Sequence, residues 1–237
     1  MAHLSKVVEE LIETEKSFST ELYAIVLGFN KFFLSDRRQY SDICALLKVL
    51  SQVRQFNKNL LKEFVAARKN CGLIGEVFTR NKVGFKVYFT YCELYPMVVE
   101  RLGLLKRNEE FSYKIYQMQE SIGVVLPLES YLLKPFQRIL KYPLLLRKMM
   151  DYFFESPQER WGQYDSIKNA HQLMVDISCQ LNEHKRQLEE KSSQLRTLPS
   201  RMDIQRRLIG CFRMSSFVRR RTQSAESVRN LTAYDIS

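Results

Sequence analysis

Apolar residues recur at every third or fourth position along most of the chain, the spacing of a helix that buries one face. Val7, Leu11, Phe18, Leu22, Ile25, Phe29 and Phe32 share one stripe and predict a long helix over 4–33. A polar break, SDRRQYSD at 35–42, leads to a second helix over 43–68, where Leu46, Leu50, Val53, Phe56, Leu60 and Phe64 keep the period. Two glycines mark 69–75 as a turn, and a further helix is predicted over 76–105. Tyr88, Tyr91, Cys92 and Tyr95 line its core face, and Pro96 kinks or interrupts it. A shorter helix over 109–121 and the turn-like SIGVVLP precede a helix that starts near Leu128. Ser156, Pro157 and Glu159 then form a helix-start pattern of capping hydroxyl, first-turn proline and reaching glutamate. The final helix extends to about 195, with Ile167, Ala170, Met174, Ile177, Leu181 and Leu188 facing inward and Asn182 and Glu189 on an adjoining stripe.

Within this pattern the stretch 131–150, YLLKPFQRILKYPLLLRKMM, is the most distinctive. Leu132, Phe136, Ile139, Leu140, Pro143 and Leu146 follow a buried helix face, while Leu133, Gln137 and Lys141 fall on a neighbouring stripe. An apolar side chain, an amide and a cation thus share one edge, which suits docking of a partner. Pro143 removes a backbone donor and crowds the carbonyl four residues earlier, so a bend is expected near Lys141 unless packing compensates.

Composition narrows the class. With 8 glycines and 6 prolines in 237 residues there are too few turn-formers for a many-stranded sandwich or barrel, which leaves an all-helical reading. Five cysteines without CxxC spacing indicate neither a disulfide framework nor a zinc site and fit a reducing, cytosolic compartment. The glutamates within 1–18 interrupt any cleavable leader, and no apolar run reaches the length of a membrane span. Most of the formal net charge of +11, about +7, lies after residue 184. That placement suits an acidic membrane surface or kinase recognition better than nucleic acid, which is not expected as a partner. His3, His171 and His184 form no metal-binding pair, and the phosphate-cradling and hydrolase motifs are missing, so no metal, cofactor or covalent chemistry is expected.

LLKPFQRILKYPLLL at 132–146 resembles the signature helix of the Dbl-homology domain of Rho-family guanine nucleotide exchange factors. VVEELIETEKSF at 7–18 is similar to that family's opening helix, FKVYFTYCELYP at 85–96 to its third helix and LNEHK at 181–185 to its last shared patch. Phe18 stands where the family usually carries Tyr. The resemblance implies an elongated all-α bundle with a kinked signature helix and a long C-terminal helix, and it places the domain at 5–195. Residues 196–237 are read as a basic extension, largely disordered after about 211. A pleckstrin-homology domain commonly follows such domains, and the residues after 190 are too few for one.

The resemblance also assigns roles. Glu10 corresponds to an acidic residue that engages switch I of a Rho, Rac or Cdc-type GTPase, and Lys141 and Asn182 to residues that approach switch II. Leu133 corresponds to a position that influences which GTPase is accepted, Gln137 supports that edge, and Glu189 meets a basic residue of the partner. Taken without the family, Glu10 is a solvated helix glutamate and Lys141 a snorkelling lysine. Arg219, Arg220 and Arg221 ahead of Thr222 and Ser224 form a site that a basophilic kinase could recognise. The alternative is a helical scaffold that keeps the shape and has lost exchange.

Overall fold

The computed structural model describes residues 2–154 and 161–194. Among these every regular element is helical: α1 (Ala2–Phe33), α2 (Ser41–Ala67), α3 (Cys71–Arg80), α4 (Lys86–Leu105), α5 (Glu109–Ser121), α6 (Leu128–Phe154) and α7 (Trp161–Gln194). Single 3₁₀ turns at Leu34–Asp36 and Lys82–Phe85 supplement them. The chain divides into two compact units, Met1–Ile177 and Ser178–Ser237, and the described part of the second is the C-terminal stretch of α7. The helix-start pattern at Ser156, Pro157 and Glu159 lies outside the described residues, as does everything after Gln194.

In the first unit α1 packs against α2, α5 and α6, while α4 closes on α2 and α6. Two apolar stripes of α1 are buried, Leu4, Val7, Leu11, Phe18, Leu22, Ile25 and Phe29 together with Val8, Ile12 and Val26. Phe32, expected inside, is half-buried, and Phe33 takes the core position, stacked on Phe29 at 6.1 Å. A buried aromatic cluster joins four helices: Phe64 of α2, Phe78 of α3, Tyr88 of α4 and Tyr142 of α6 are fully buried with Phe85. Phe78 meets Phe64 at 5.0 Å and the edge of Tyr142 at 5.2 Å, the tilted and edge-on arrangements that aromatic quadrupoles favour.

The region 69–105 differs from the expectation of one turn and one helix. The turn is confined to residues 68–70, because the Asn70 side chain accepts from the Gly72 amide at 2.9 Å and starts a helix at Cys71. Gly72 and Gly75 sit inside that helix. At Gly75 a Cβ atom would lie 2.5 Å from the backbone of Ser166 in α7, so the glycine marks a close helix approach rather than a turn. Asn81 ends α3 by turning its amide onto the Val77 carbonyl at 2.9 Å and onto Glu63 of α2 at 3.1 Å. The interruption expected at Pro96 therefore falls upstream, and α4 runs through that proline.

The helix α6 also runs on through Pro135 and Pro143. Pro135 cannot donate to Tyr131, and at the next residue the Tyr91 hydroxyl of α4 donates to the Leu132 carbonyl at 2.7 Å. Between α5 and α6 the chain reverses at Gly123, whose φ of +69° is a left-handed conformation that glycine adopts without penalty.

Candidate functional site

The exposed edge of α6 carries the residues singled out from the sequence. Leu133 is half-buried, and Gln137 and Lys141 are exposed, with half-buried Leu140 between them and half-buried Leu144 one turn beyond. Three lysines mark this edge at seven-residue intervals, Lys134, Lys141 and Lys148, a spacing that returns a helix to nearly the same face. The outer two are held by α1: Lys134 pairs with Glu21 at 2.6 Å and Lys148 with Glu10 at 3.0 Å. Lys141, between them, makes no hydrogen bond or ion pair among the described residues.

Glu10 lies on the flank of α1 that faces this edge. Successive glutamates diverge there, Glu9 reaching Arg68 of α2 at 2.8 Å and Glu10 reaching Lys148 of α6. Lys148 is two helical turns beyond Lys141, so the Glu10 carboxylate sits about 10 Å along the axis from the Lys141 turn. The Glu10 side chain is 46% exposed, and an ion pair of such exposure contributes little and exchanges readily with solvent or an incoming group. The structure thus brings Glu10, Lys141, Gln137 and Leu133 onto one pair of adjacent helices.

Beneath that surface runs a buried polar network that sequence reasoning missed. Arg138 pairs through its Nη2 and Nε with one oxygen of Glu15, at 2.6 and 2.7 Å, and these side chains are 3% and 0% exposed. The same guanidinium donates to the Thr14 hydroxyl at 2.8 Å and to the Leu11 carbonyl at 3.2 Å. Tyr142 places its hydroxyl 2.7 Å from Glu15 and 3.0 Å from Asn57 of α2, and the Asn57 amide donates to Tyr88 of α4 at 2.7 Å. Burial pushes the Glu15 carboxyl above the usual carboxylate range, opposed by the Arg138 charge and by hydrogen bonds from Tyr142 and Arg138. Burial and the neighbouring Glu15 charge hold Tyr142 well above the usual phenol range, so it remains a proton donor.

The register of the heptads carries the signal. Val8, Leu11, Glu15, Phe18 and Leu22 alternate by three and four, as do Pro135, Arg138, Tyr142 and Leu145, and in each run one charge occupies a core slot. Opposite charges in two core slots need each other.

Asn182 belongs to the second unit, where it is half-buried on α7. Around it Arg186 pairs with Glu183 and Glu190 on the exposed side of that helix. The side chain of Glu189 lies outside those described, as do Thr222, Ser224 and the basic tail. Among the described residues no cluster of three or more His, Cys, Asp or Glu could hold a metal ion, and no helix is long and apolar enough to cross a membrane. The α1–α6 face thus carries a cation, an amide and half-buried apolar side chains beside a half-exposed carboxylate.

Comparison with known proteins adds an independent result. The family model of the RhoGEF domain matches residues 7–182. Among curated relatives, the pleckstrin homology domain-containing family G member 2 of Mus musculus is 28% identical over 212 residues, covering 88% of this chain. The chain spans 15% of that protein's length. Among solved structures, autoinhibited Vav1 superposes with a TM-score of 0.73 at 22% identity, over 84% of this chain and 38% of that one. The complex of PDZ-RhoGEF DH/PH domains with GTP-gamma-S activated RhoA gives 0.68 at 17% identity, over 79% and 54%.

Proposed function

Since the chain belongs to the RhoGEF domain family, we propose that it is a guanine nucleotide exchange factor for a Rho-family small GTPase, acting through the α1–α6 face. The observation that carries this reading is the lysine ladder of α6, in which Lys134 and Lys148 are held by α1 and Lys141 is presented to solvent between them. The likeness to a fold solved with RhoA bound supports the same class of partner.

The chemistry requires no nucleophile. A small GTPase grips its nucleotide through a phosphate-cradling loop, a lysine and a magnesium ion, and its switches complete that grip. Glu10, released from Lys148, draws switch I away. Lys141, with Asn182 from α7, turns switch II toward the metal site, while Leu133 and Gln137 select and support the partner and Glu189 meets a basic group on it. Nucleotide then dissociates faster, and reloading follows whichever nucleotide is in excess. In this reading the exchange domain occupies 5–195, and the basic residues beyond it draw the domain toward acidic membranes.

Release of a fluorescent nucleotide from a panel of Rho, Rac and Cdc-type GTPases tests the proposal. Glu10→Ala and Lys141→Ala should each slow release by about 30-fold or more, since removing one member of a buried, hydrogen-bonded charge contact costs about 2–5 kcal/mol. Undiminished release by either variant removes that residue from the mechanism. A wild-type chain that binds a GTPase without discharging it is a silent scaffold instead.

A further inference from the structure

We propose that Arg138, Thr14 and Glu15 are positioning residues for exchange, a relay that runs from a buried ion pair out to the Glu10 turn of α1 and holds it at one fixed spacing from the Lys141 turn of α6. The role rests on the exchange reading above and adds residues that do not themselves touch the partner.

The relay reaches the backbone of Glu10. Arg138 donates to the Thr14 hydroxyl at 2.8 Å, and that hydroxyl donates in turn to the Glu10 carbonyl at 2.7 Å. A second branch runs from Arg138 to the carbonyl of Leu11, the residue after Glu10, at 3.2 Å. From the other side, Tyr142 follows Lys141 directly and binds the same Glu15 oxygen as Arg138 does, so the Lys141 turn is tied to α1 both before and after that lysine.

Stability alone gives a poor reason for this arrangement. A buried ion pair rarely improves on well-packed apolar residues of similar volume, because desolvation offsets most of the attraction. What it supplies is register, since a guanidinium with three acceptors on one helix satisfies all of them in only one relative placement. Two further features make such a tie useful. Pro143 deprives the turn around Lys141 of a backbone donor, so that turn is held less by its own helix. The outward ion pair of Glu10 with Lys148 is half-exposed and cannot fix the turn by itself.

Thr14→Val removes the link while keeping the side chain's shape, Thr14→Ser keeps the hydroxyl, and Glu15→Leu with Arg138→Met replaces the ion pair by apolar volume. For each variant the thermal midpoint and the concentration dependence of fluorescent-nucleotide release are measured on the GTPase that the wild type discharges best. Thr14→Val leaves an Arg138 N–H without its acceptor and should melt somewhat below the wild type while staying folded at the assay temperature, yet show a maximal release rate lower by about tenfold or more, as expected for a misplaced catalytic group, with its half-saturating concentration changed far less. Thr14→Ser should restore the rate, and the paired variant should be folded and slow. A folded Thr14→Val or paired variant with an undiminished maximal rate overturns the positioning role and leaves the exchange reading intact. Should the paired variant not fold, the Thr14 variants decide. A wild-type chain that discharges none of the GTPases, by contrast, overturns the exchange reading and this role with it.

Discussion

His171 of α7 is 8% exposed in a wall that includes Arg147 and Asp151 of α6. Burial holds its imidazole below the ordinary value, Arg147 lowers it further, and Asp151 opposes both. The unfolded chain therefore takes up a proton near pH 6.5 that the folded chain refuses, and the unfolded state binds more protons as the pH falls through that value. Stability drops on acidification across this window. Urea midpoints at about pH 7.5 and about pH 5.5 should show a loss in the wild type that is smaller in His171→Phe, which has no proton to gain. Single residues were also where the sequence was hardest to read. Glu10 and Lys141 stand out only through family resemblance, because a helix glutamate and a helix lysine are ordinary surface residues in isolation. Glu15 and Arg138 are charges in core slots, and neither reveals its partner 123 positions away until the helices are assembled.

Helices were legible wherever a stripe of apolar residues ran long enough to outweigh punctuation. α1, α2, α5 and the start of α6 follow the periodicity closely, since most of the residues that set the period in α1 and α2 are buried, Phe32 and Phe56 being half-buried exceptions. The stretch 69–105 was not legible, because Gly72 and Gly75 are flexible when read locally and close-packed when read against α7. That distinction yields a paired expectation. Gly75→Ala forces a methyl group against the Ser166 backbone and should cost about 1–3 kcal/mol, the usual penalty of overpacking. Gly103→Ala, in α4 with no atom within 4 Å of the added carbon, should stabilise by about 0.4–1 kcal/mol. Denaturant titrations of the two variants should move in opposite directions.

At the scale of the whole molecule, the proposed exchange function makes this chain and the nucleotide competitors for one set of GTPase conformations. By linkage, any factor by which the chain weakens nucleotide binding is the factor by which nucleotide weakens binding of the chain. A complex with nucleotide-free GTPase should therefore survive gel filtration in buffer and dissolve on addition of GDP and of GTP alike. Dissolution by only one of the two would mean that the chain senses the γ-phosphate and is no direction-neutral exchange factor. The all-helical class followed from composition and period, because few glycines and prolines leave no material for a many-stranded sheet. The α1–α6 face was legible only as far as its stripes, since which helices lie side by side depends on packing between segments more than a hundred residues apart. That side-by-side placement also makes the amines of α6 chemically unequal. The ammonium groups of Lys134 and Lys148 must part from a carboxylate before an acylating reagent can reach them, whereas that of Lys141 can be approached directly. Of these three amines, that of Lys141 is therefore the one a lysine-directed dye meets without displacing a carboxylate, in the middle of the very edge a partner would cover.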